Sequence, residues 1–139
     1  MKLDLSSLKK AVVTFEKTLS IASSEKMHAL DKAVCDAVRA GAIQNFEFTY
    51  ELCWKFMQRW LKENQIHDAD LPRTRKELFR IAARNGLIRD PLPWFEYAEA
   101  RNLISHTYSE TIADTVFQAA VKFIADAQYC LRKLEEKND

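Results

Sequence analysis

Glycine and proline are scarce in this chain, whose 139 residues include only two glycines and three prolines. Strands joined by tight hairpins need such residues at their turns. Their scarcity argues against a β-rich fold and predicts an all-α protein. A chain of this length can bury a substantial core, so we expect residues 1–139 to form a single helical domain.

Long apolar runs and an excess of one charge are also missing. No apolar run approaches the roughly 18 residues that a membrane span needs, and the N-terminal MKLDLSSLKK has no hydrophobic signal core. These absences favour a soluble, cytoplasmic protein. The formal net charge of +1 excludes a polyelectrolyte tail but is compatible with a local basic patch.

Cysteine is present only as three isolated residues, Cys35, Cys53 and Cys130. They show neither C-x-x-C spacing nor a nearby histidine pair, and an odd number argues against a disulfide framework. Free cysteine is most often a core residue, so we expect buried or half-buried thiols. The sequence predicts no metal site and no cofactor.

Apolar side chains recur at the three- and four-residue spacing of helices that pack in a bundle. The pattern predicts five helices, over about 4–22, 25–64, 74–85, 93–106 and 110–136. Gly41 is the expected kink or break in the unusually long second helix, and Ser109 or Thr111 can cap the last one. The expected fold is an antiparallel up-down-up-down four-helix bundle, with the short helix at 74–85 as an insertion.

The short helix is also basic. Arg73, Lys76, Arg80 and Arg84 fall on one helical face, and residues 71–90 hold six basic side chains against two acidic ones. Such a strip can follow a nucleic-acid backbone, or it can simply be a solvated helix face. The sequence leaves both interpretations open.

The segment from Arg101 to Tyr108, R-N-L-I-S-H-T-Y, holds one of only three histidines in the chain. A guanidinium can bind a phosphate with two hydrogen bonds, and an imidazole titrates near neutral pH. Together they suffice for metal-free chemistry at a phosphodiester. On a straight helix, Arg101 and His106 point about 140° apart and cannot reach one spot. Either the helix ends near His106, or a second copy of the chain completes the site.

The pattern R-x4-H-x-Y, with asparagine after the arginine, resembles the HEPN superfamily. Within it, the similarity is to the HepT-like proteins, also called nucleotidyltransferase substrate-binding proteins. A second segment, IQNFEFTYELCWK at residues 43–55, is similar to that family's I-Q-x-F-E-F-T-Y-E-L-x-W-K signature. The likeness extends from about Leu3 to Leu134, nearly the whole chain.

The resemblance implies a metal-independent endoribonuclease toxin that cleaves single-stranded RNA. His106 would act as general base on the ribose 2′-hydroxyl or as acid on the leaving oxygen. Arg101 would stabilise the charge that develops on the phosphorane, and Asn102 would orient a phosphate or the imidazole. Because Arg101 and His106 diverge, we expect a homodimer that brings two copies of the motif together.

The resemblance also implies an alternative, a non-catalytic accessory subunit of a small nucleotidyltransferase. Such a partner, of the MntA type, would transfer AMP to Tyr108 and so place bulk and negative charge beside Arg101. In the remaining alternative, Arg101 and His106 only cap a helix end and pair with nearby acids, Glu96, Glu99 or Glu110.

Two glutamates one helical turn apart, Glu47 and Glu51, flank Tyr50 in the second motif. They can orient Arg101 from a neighbouring helix, or Glu51 can pair with Lys55 four residues later. We expect all three residues to support or pack beside the motif arginine rather than to act in catalysis.

Overall fold

The computed structural model describes residues 2–64, 72–106 and 109–138, excluding the side chains of His28 and His106. Within these ranges the regular structure is entirely helical, which confirms the all-α prediction. The helices are α1 (Ser6–Ala22), α2 (Lys32–Glu63), α3 (Arg75–Arg84), α4 (Pro91–His106) and α5 (Glu110–Glu136), and a short 3₁₀ helix (Glu25–Ala29) precedes α2.

Local sequence explains several helix ends. The hydroxyl of Thr74 accepts a hydrogen bond from the backbone N–H of Glu77, and Ser109 caps α5 in the same way. Pro91 is the first residue of α4, where its missing N–H costs no hydrogen bond. Gly86, just after α3, has a φ of 77°, a conformation that glycine adopts without strain.

The predicted continuous helix over 25–64 is wrong at its start. The chain forms the short 3₁₀ helix, becomes extended at Leu30, and begins α2 at Lys32. Gly41, the predicted break, lies within an uninterrupted α2. Its neighbours Ala42 and Ile43 are buried, so packing of this turn outweighs the weak helix propensity of glycine.

The four long helices form the predicted up-down-up-down bundle. Lys32 at the start of α2 pairs with Glu110 at the start of α5 at 3.3 Å. Near the other end, the indole of Trp60 donates to the carbonyl of Lys137, just after α5, at 3.2 Å. α2 and α5 therefore run parallel, while α1 and α4 pack alongside them in the opposite direction.

The segment before α1 and the segment after α5 meet at one end of this bundle. The backbone N–H of Leu3 donates to the side-chain oxygen of Asn138, and the side-chain amide of Asn138 donates to the carbonyl of Leu3, both at 2.9 Å. This pair of bonds connects the segment before α1 to the segment after α5.

An aromatic cluster fills the centre of the bundle, and Phe123 of α5 lies at its middle. Five rings from α1, α2 and α4 surround it with centroids 4.9 to 6.3 Å away, namely Phe15, Phe46, Tyr50, Trp94 and Tyr97. All of these side chains are buried. Much of the apolar area that stabilises the fold is therefore concentrated around one residue.

α3 extends this core. It buries Leu78, Phe79, Ile81 and Ala82, and the ring of Phe79 lies 5.4 Å from that of Trp94. The short helix is thus inserted between α2 and α4 in sequence but contributes fully to the packing. Its exposed face carries Lys76, Arg80 and Arg84.

The cysteines are placed as predicted: Cys53 and Cys130 are buried and Cys35 is half-buried. Burial raises the pKa of the Cys53 thiol well above its ordinary value, which keeps it protonated and unreactive. Across the described ranges, the helices are too short or too polar for any of them to cross a membrane.

Candidate functional site around Arg101

Arg101 projects from α4 between two carboxylates of α2. Its Nη1 lies 3.2 Å from Oε2 of Glu47, and its Nε lies 3.6 Å from Oε1 of Glu51. The two glutamates are one turn apart, so helical spacing places both on the side of α2 that faces α4. Of the two sequence alternatives, the structure therefore pairs Glu51 with Arg101, whereas the Lys55 ammonium lies over the ring of Trp54.

The acids that Arg101 contacts belong to α2 and not to its own helix. This excludes the alternative in which Arg101 pairs with Glu96, Glu99 or Glu110. Glu110 instead pairs with Lys32.

The second oxygen of Glu51 also has a partner. Its Oε2 accepts a hydrogen bond of 3.0 Å from Nε1 of Trp54. The guanidinium of Arg75, on α3, stacks on the Trp54 ring with its Cζ 3.7 Å from a ring centroid, and it donates to the hydroxyl of Tyr50 at 3.0 Å. Tyr50, expected beside Arg101, is thus hydrogen-bonded to Arg75.

Sequence reasoning missed Trp54 and Arg75 as members of this cluster. Trp54 stands three residues after Glu51, a spacing at which helical side chains meet, and this could have suggested the contact. Arg75 had no comparable indication, because its position depends on how α3 packs against α2.

The electrostatics of the cluster follow from partial burial. Burial raises the pKa of Glu47 above its ordinary value, the charge of Arg101 opposes this rise, and the charge of Glu51 adds to it. Burial also raises the pKa of the Tyr50 hydroxyl, and Arg75 opposes that rise. Arg101 therefore compensates two like charges that would otherwise be costly to hold this close.

One edge of the Arg101 guanidinium is covered. Its Nε is buried and has no hydrogen-bond partner among the described residues, since the 3.6 Å to Glu51 is too long for one. The side chain as a whole is 30% exposed. Its accessible surface therefore belongs to other atoms of the side chain, and the Nε edge faces the protein.

Of the other predicted site residues in the motif, the structure describes Asn102 and the backbone of His106. Asn102 is exposed on α4, and His106 is the last residue of that helix. The side chain of His106 and the whole of Tyr108 lie outside the described residues. Because α4 is helical from Arg101 to His106, the divergence of about 140° between the two side-chain directions applies to this helix.

The basic strip lies on the surface. Arg73, Lys76, Arg80 and Arg84 lie on or beside α3, and all four are exposed, with Arg84 at the C-terminal end of the helix. The charged groups of Lys76 and Arg80 lie 5.6 and 5.3 Å from the ring centroid of Phe95 on α4, so this part of the strip follows the α3–α4 seam. This placement is compatible both with contact to a nucleic-acid backbone and with solvation alone.

The described part of the chain has no group of three histidine, cysteine, aspartate or glutamate side chains that could hold a metal ion. The two carboxylates nearest the motif, Glu47 and Glu51, already have a guanidinium as their cation.

Comparison with known proteins gives a consistent result. Residues 3–136 match the family described as nucleotidyltransferase substrate binding protein like. The chain is 34% identical over 139 residues to a probable ribonuclease HepT of Haemophilus influenzae, a match that covers 99% of this chain and 95% of that protein.

Two solved structures are also similar to this chain. HI0074 of Haemophilus influenzae, described as showing the fold of a substrate-binding domain of a nucleotidyltransferase, superposes with a TM-score of 0.89 at 34% identity, covering 95% of this chain and 99% of that one. A Thermus thermophilus protein superposes with a TM-score of 0.70 at 27% identity, covering 91% and 98%. These matches confirm the family that the two sequence motifs predict. The chain belongs to the HepT-like family of nucleotidyltransferase substrate-binding proteins.

Proposed function

We propose that the protein is the toxin of a cytoplasmic HEPN–nucleotidyltransferase toxin–antitoxin pair and cleaves single-stranded RNA without a metal ion. The observation that carries this proposal is the setting of Arg101. Its Nε is buried beside Glu51 and its Nη1 contacts Glu47, while part of the side chain remains exposed, on the helix that ends at His106. The similarity to a probable ribonuclease supports it.

The reaction needs one proton removed and one supplied. His106 removes the proton of the ribose 2′-hydroxyl, whose oxygen attacks the adjacent phosphorus. The bond from phosphorus to the 5′-oxygen then breaks, that oxygen takes up a proton, and a 2′,3′-cyclic phosphate remains. In a dimer that joins two motifs, the second His106 can supply this proton.

Arg101 stabilises the extra negative charge on the phosphorane, and Asn102, the exposed next residue, orients the phosphate. Holding the guanidinium before substrate arrives reduces the reorganisation needed during the reaction. The basic strip of Arg73, Lys76, Arg80 and Arg84 would contact the RNA backbone on either side. The deciding experiment is cleavage of single-stranded RNA in EDTA by the wild type and by His106→Ala.

A second candidate function is that of a non-catalytic accessory subunit for a small nucleotidyltransferase. The family description and the substrate-binding fold described for HI0074 favour it. Both functions imply an MntA-type nucleotidyltransferase as partner, and they differ in whether this chain cleaves RNA itself.

The implied nucleotidyltransferase partner leads to a testable prediction for Tyr108. Incubation with the cognate nucleotidyltransferase and ATP should add the mass of AMP, as the phenol oxygen attacks the α-phosphorus and pyrophosphate leaves. Tyr108→Phe should stay unmodified and escape inhibition because it lacks the acceptor oxygen. Intact-mass spectrometry provides the measurement, with Tyr129→Phe on α5 as a control that should still be modified. An unchanged wild-type mass beside an active transferase would exclude this mechanism.

The divergence of Arg101 and His106 predicts a homodimer. Phe48 follows Glu47 on α2 and is 59% exposed, so we place it at the contact between the two copies. Light scattering should report a dimer for the wild type and a monomer for Phe48→Glu. Val13→Glu, at a 44% exposed position on α1, is the matched control and should stay dimeric. A monomeric wild type at micromolar concentration would refute the dimer, and a dimeric Phe48→Glu would refute the interface.

A further inference from the structure

A series of side-chain contacts connects α3 to Arg101 through α2. Arg75 stacks on Trp54 at 3.7 Å, Trp54 donates to Glu51 at 3.0 Å, and the other oxygen of Glu51 lies 3.6 Å from Nε of Arg101. Four side chains from three helices thus form a continuous series of contacts, which begins with Arg75 on α3 and ends with Arg101 on α4.

One oxygen of Glu51 is held by a hydrogen bond, and the other lies beside the charge of Arg101. A glutamate on a helix surface has several rotamers, and a charged hydrogen bond from a neighbouring side chain selects among them. The indole of Trp54 binds Oε2 and thereby directs Oε1 towards Arg101. The Nε edge that faces this oxygen is buried. The orientation of the Arg101 guanidinium therefore depends on the side chain that holds Glu51.

Arg75 in turn holds Trp54. Its guanidinium covers one face of the indole, an attraction between a cation and a ring that strengthens when water is excluded. Its hydrogen bond to Tyr50, which is fully buried in the aromatic cluster, anchors it to the core. This contact sets Arg75 apart from its neighbours Arg73 and Lys76, which are exposed.

We propose that Trp54 and Arg75 are positioning residues, which orient Arg101 through Glu51 for contact with the scissile phosphate. The catalytic part of this inference rests on the function proposed above. The geometric part, that Trp54 controls the orientation of Arg101, does not depend on RNA cleavage.

The chain offers a matched pair of variants. Trp54→Phe keeps an aromatic ring under Arg75 but removes the N–H that binds Glu51. Trp60→Phe removes an equivalent indole hydrogen bond from the same helix, to the carbonyl of Lys137 and away from Arg101. Arg75→Gln is the second test variant and removes the stacking cation.

The first readout is the ¹⁵N–¹H resonance of the Arg101 Nε–H group, identified by its loss in Arg101→Lys. Trp54→Phe and Arg75→Gln should shift this resonance and speed its exchange with water, while Trp60→Phe should leave it unchanged. The second readout is RNA cleavage, in which Trp54→Phe should lower kcat by roughly 10- to 100-fold with little change in KM, as a misplaced group does.

The two readouts distinguish failure of the positioning role from failure of the proposed RNA cleavage. If Trp54→Phe matches Trp60→Phe in both readouts, the positioning role is refuted. If the wild type does not cleave RNA, the proposed function fails, and the Arg101 resonance still decides whether Trp54 and Arg75 control this side chain. A lower kcat with an unperturbed Arg101 resonance would also refute positioning through Arg101.

Discussion

His106→Ala should lower the rate of RNA cleavage by roughly 10²- to 10⁴-fold, the usual contribution of positioned acid–base catalysis. Imidazole is the only side-chain group of the motif whose ordinary pKa lies near neutral, so we expect no neighbour to replace its proton transfer. We expect the fold to survive, because His106 is the final residue of α4 and its replacement interrupts no helical turn. Initial rates on a labelled single-stranded RNA in EDTA measure the loss, and circular dichroism checks the fold.

Two further variants make this test specific. His28→Ala changes another histidine, in the 3₁₀ helix, and should retain full activity. Arg101→Ala should lose activity to a similar degree through the missing phosphate contact, but it also leaves Glu47 and Glu51 without their cation. Arg101→Lys keeps a charge there and loses the planar two-point contact, so reduced activity in this variant isolates phosphate geometry.

The choice of substrate gives results that would contradict this prediction. DNA of the same sequence should resist, because the attacking group is the 2′-hydroxyl that DNA lacks. Cleavage of DNA, dependence on added magnesium, or full activity in His106→Ala would each refute the proposed chemistry. An inactive wild type would favour the accessory-subunit function instead.

Phe123→Ala should have the largest effect on stability, a loss of about 3–5 kcal/mol, as is typical when a buried aromatic side chain is removed. The side chain is fully buried, and the five surrounding rings come from three different helices, so the cavity cannot close by moving one element. Urea unfolding followed by circular dichroism measures the loss.

Val121→Ala is the control for this prediction. It lies two residues earlier on α5 at a 42% exposed position, and its cost should be within about 0.5 kcal/mol. A loss below about 1 kcal/mol in Phe123→Ala would contradict the central role given to this ring, since even a modest unfilled cavity costs more.

The helices could be predicted well from the sequence, because apolar spacing and capping residues are local features of the chain. The spacing of apolar residues identified all five, and Ser109, one of the two predicted capping residues, marks the start of the last one. The start of α2 was missed because a 3₁₀ helix and the extended residue Leu30 precede it, and helical spacing alone does not distinguish these from a first α-helical turn. The predicted break within α2 was wrong for a separate reason. Local propensity points to Gly41, but the buried neighbours Ala42 and Ile43 keep the helix continuous there.

The site was predictable only where helical spacing brings residues together. Glu47 and Glu51 share a face of α2, so their common role could be stated beforehand, but the choice of Arg101 over Lys55 required the packing of α4 on α2. The contact of Arg75 with Trp54 joins residues of different helices. Nothing in either local sequence specifies such a contact.

The hydrogen-bonded pair of Leu3 and Asn138 has a practical consequence. It places Leu3 and Asn138, which are close to the two termini in sequence, at the end of the bundle opposite the last residue of α4, separated from it by the length of α5, about 40 Å for a helix of this size. An affinity tag, dye or surface tether attached at either terminus would therefore lie far from His106 at the end of α4. Immobilised protein would present the end of α4 that carries His106 towards solution, which suits binding measurements with RNA or a partner enzyme.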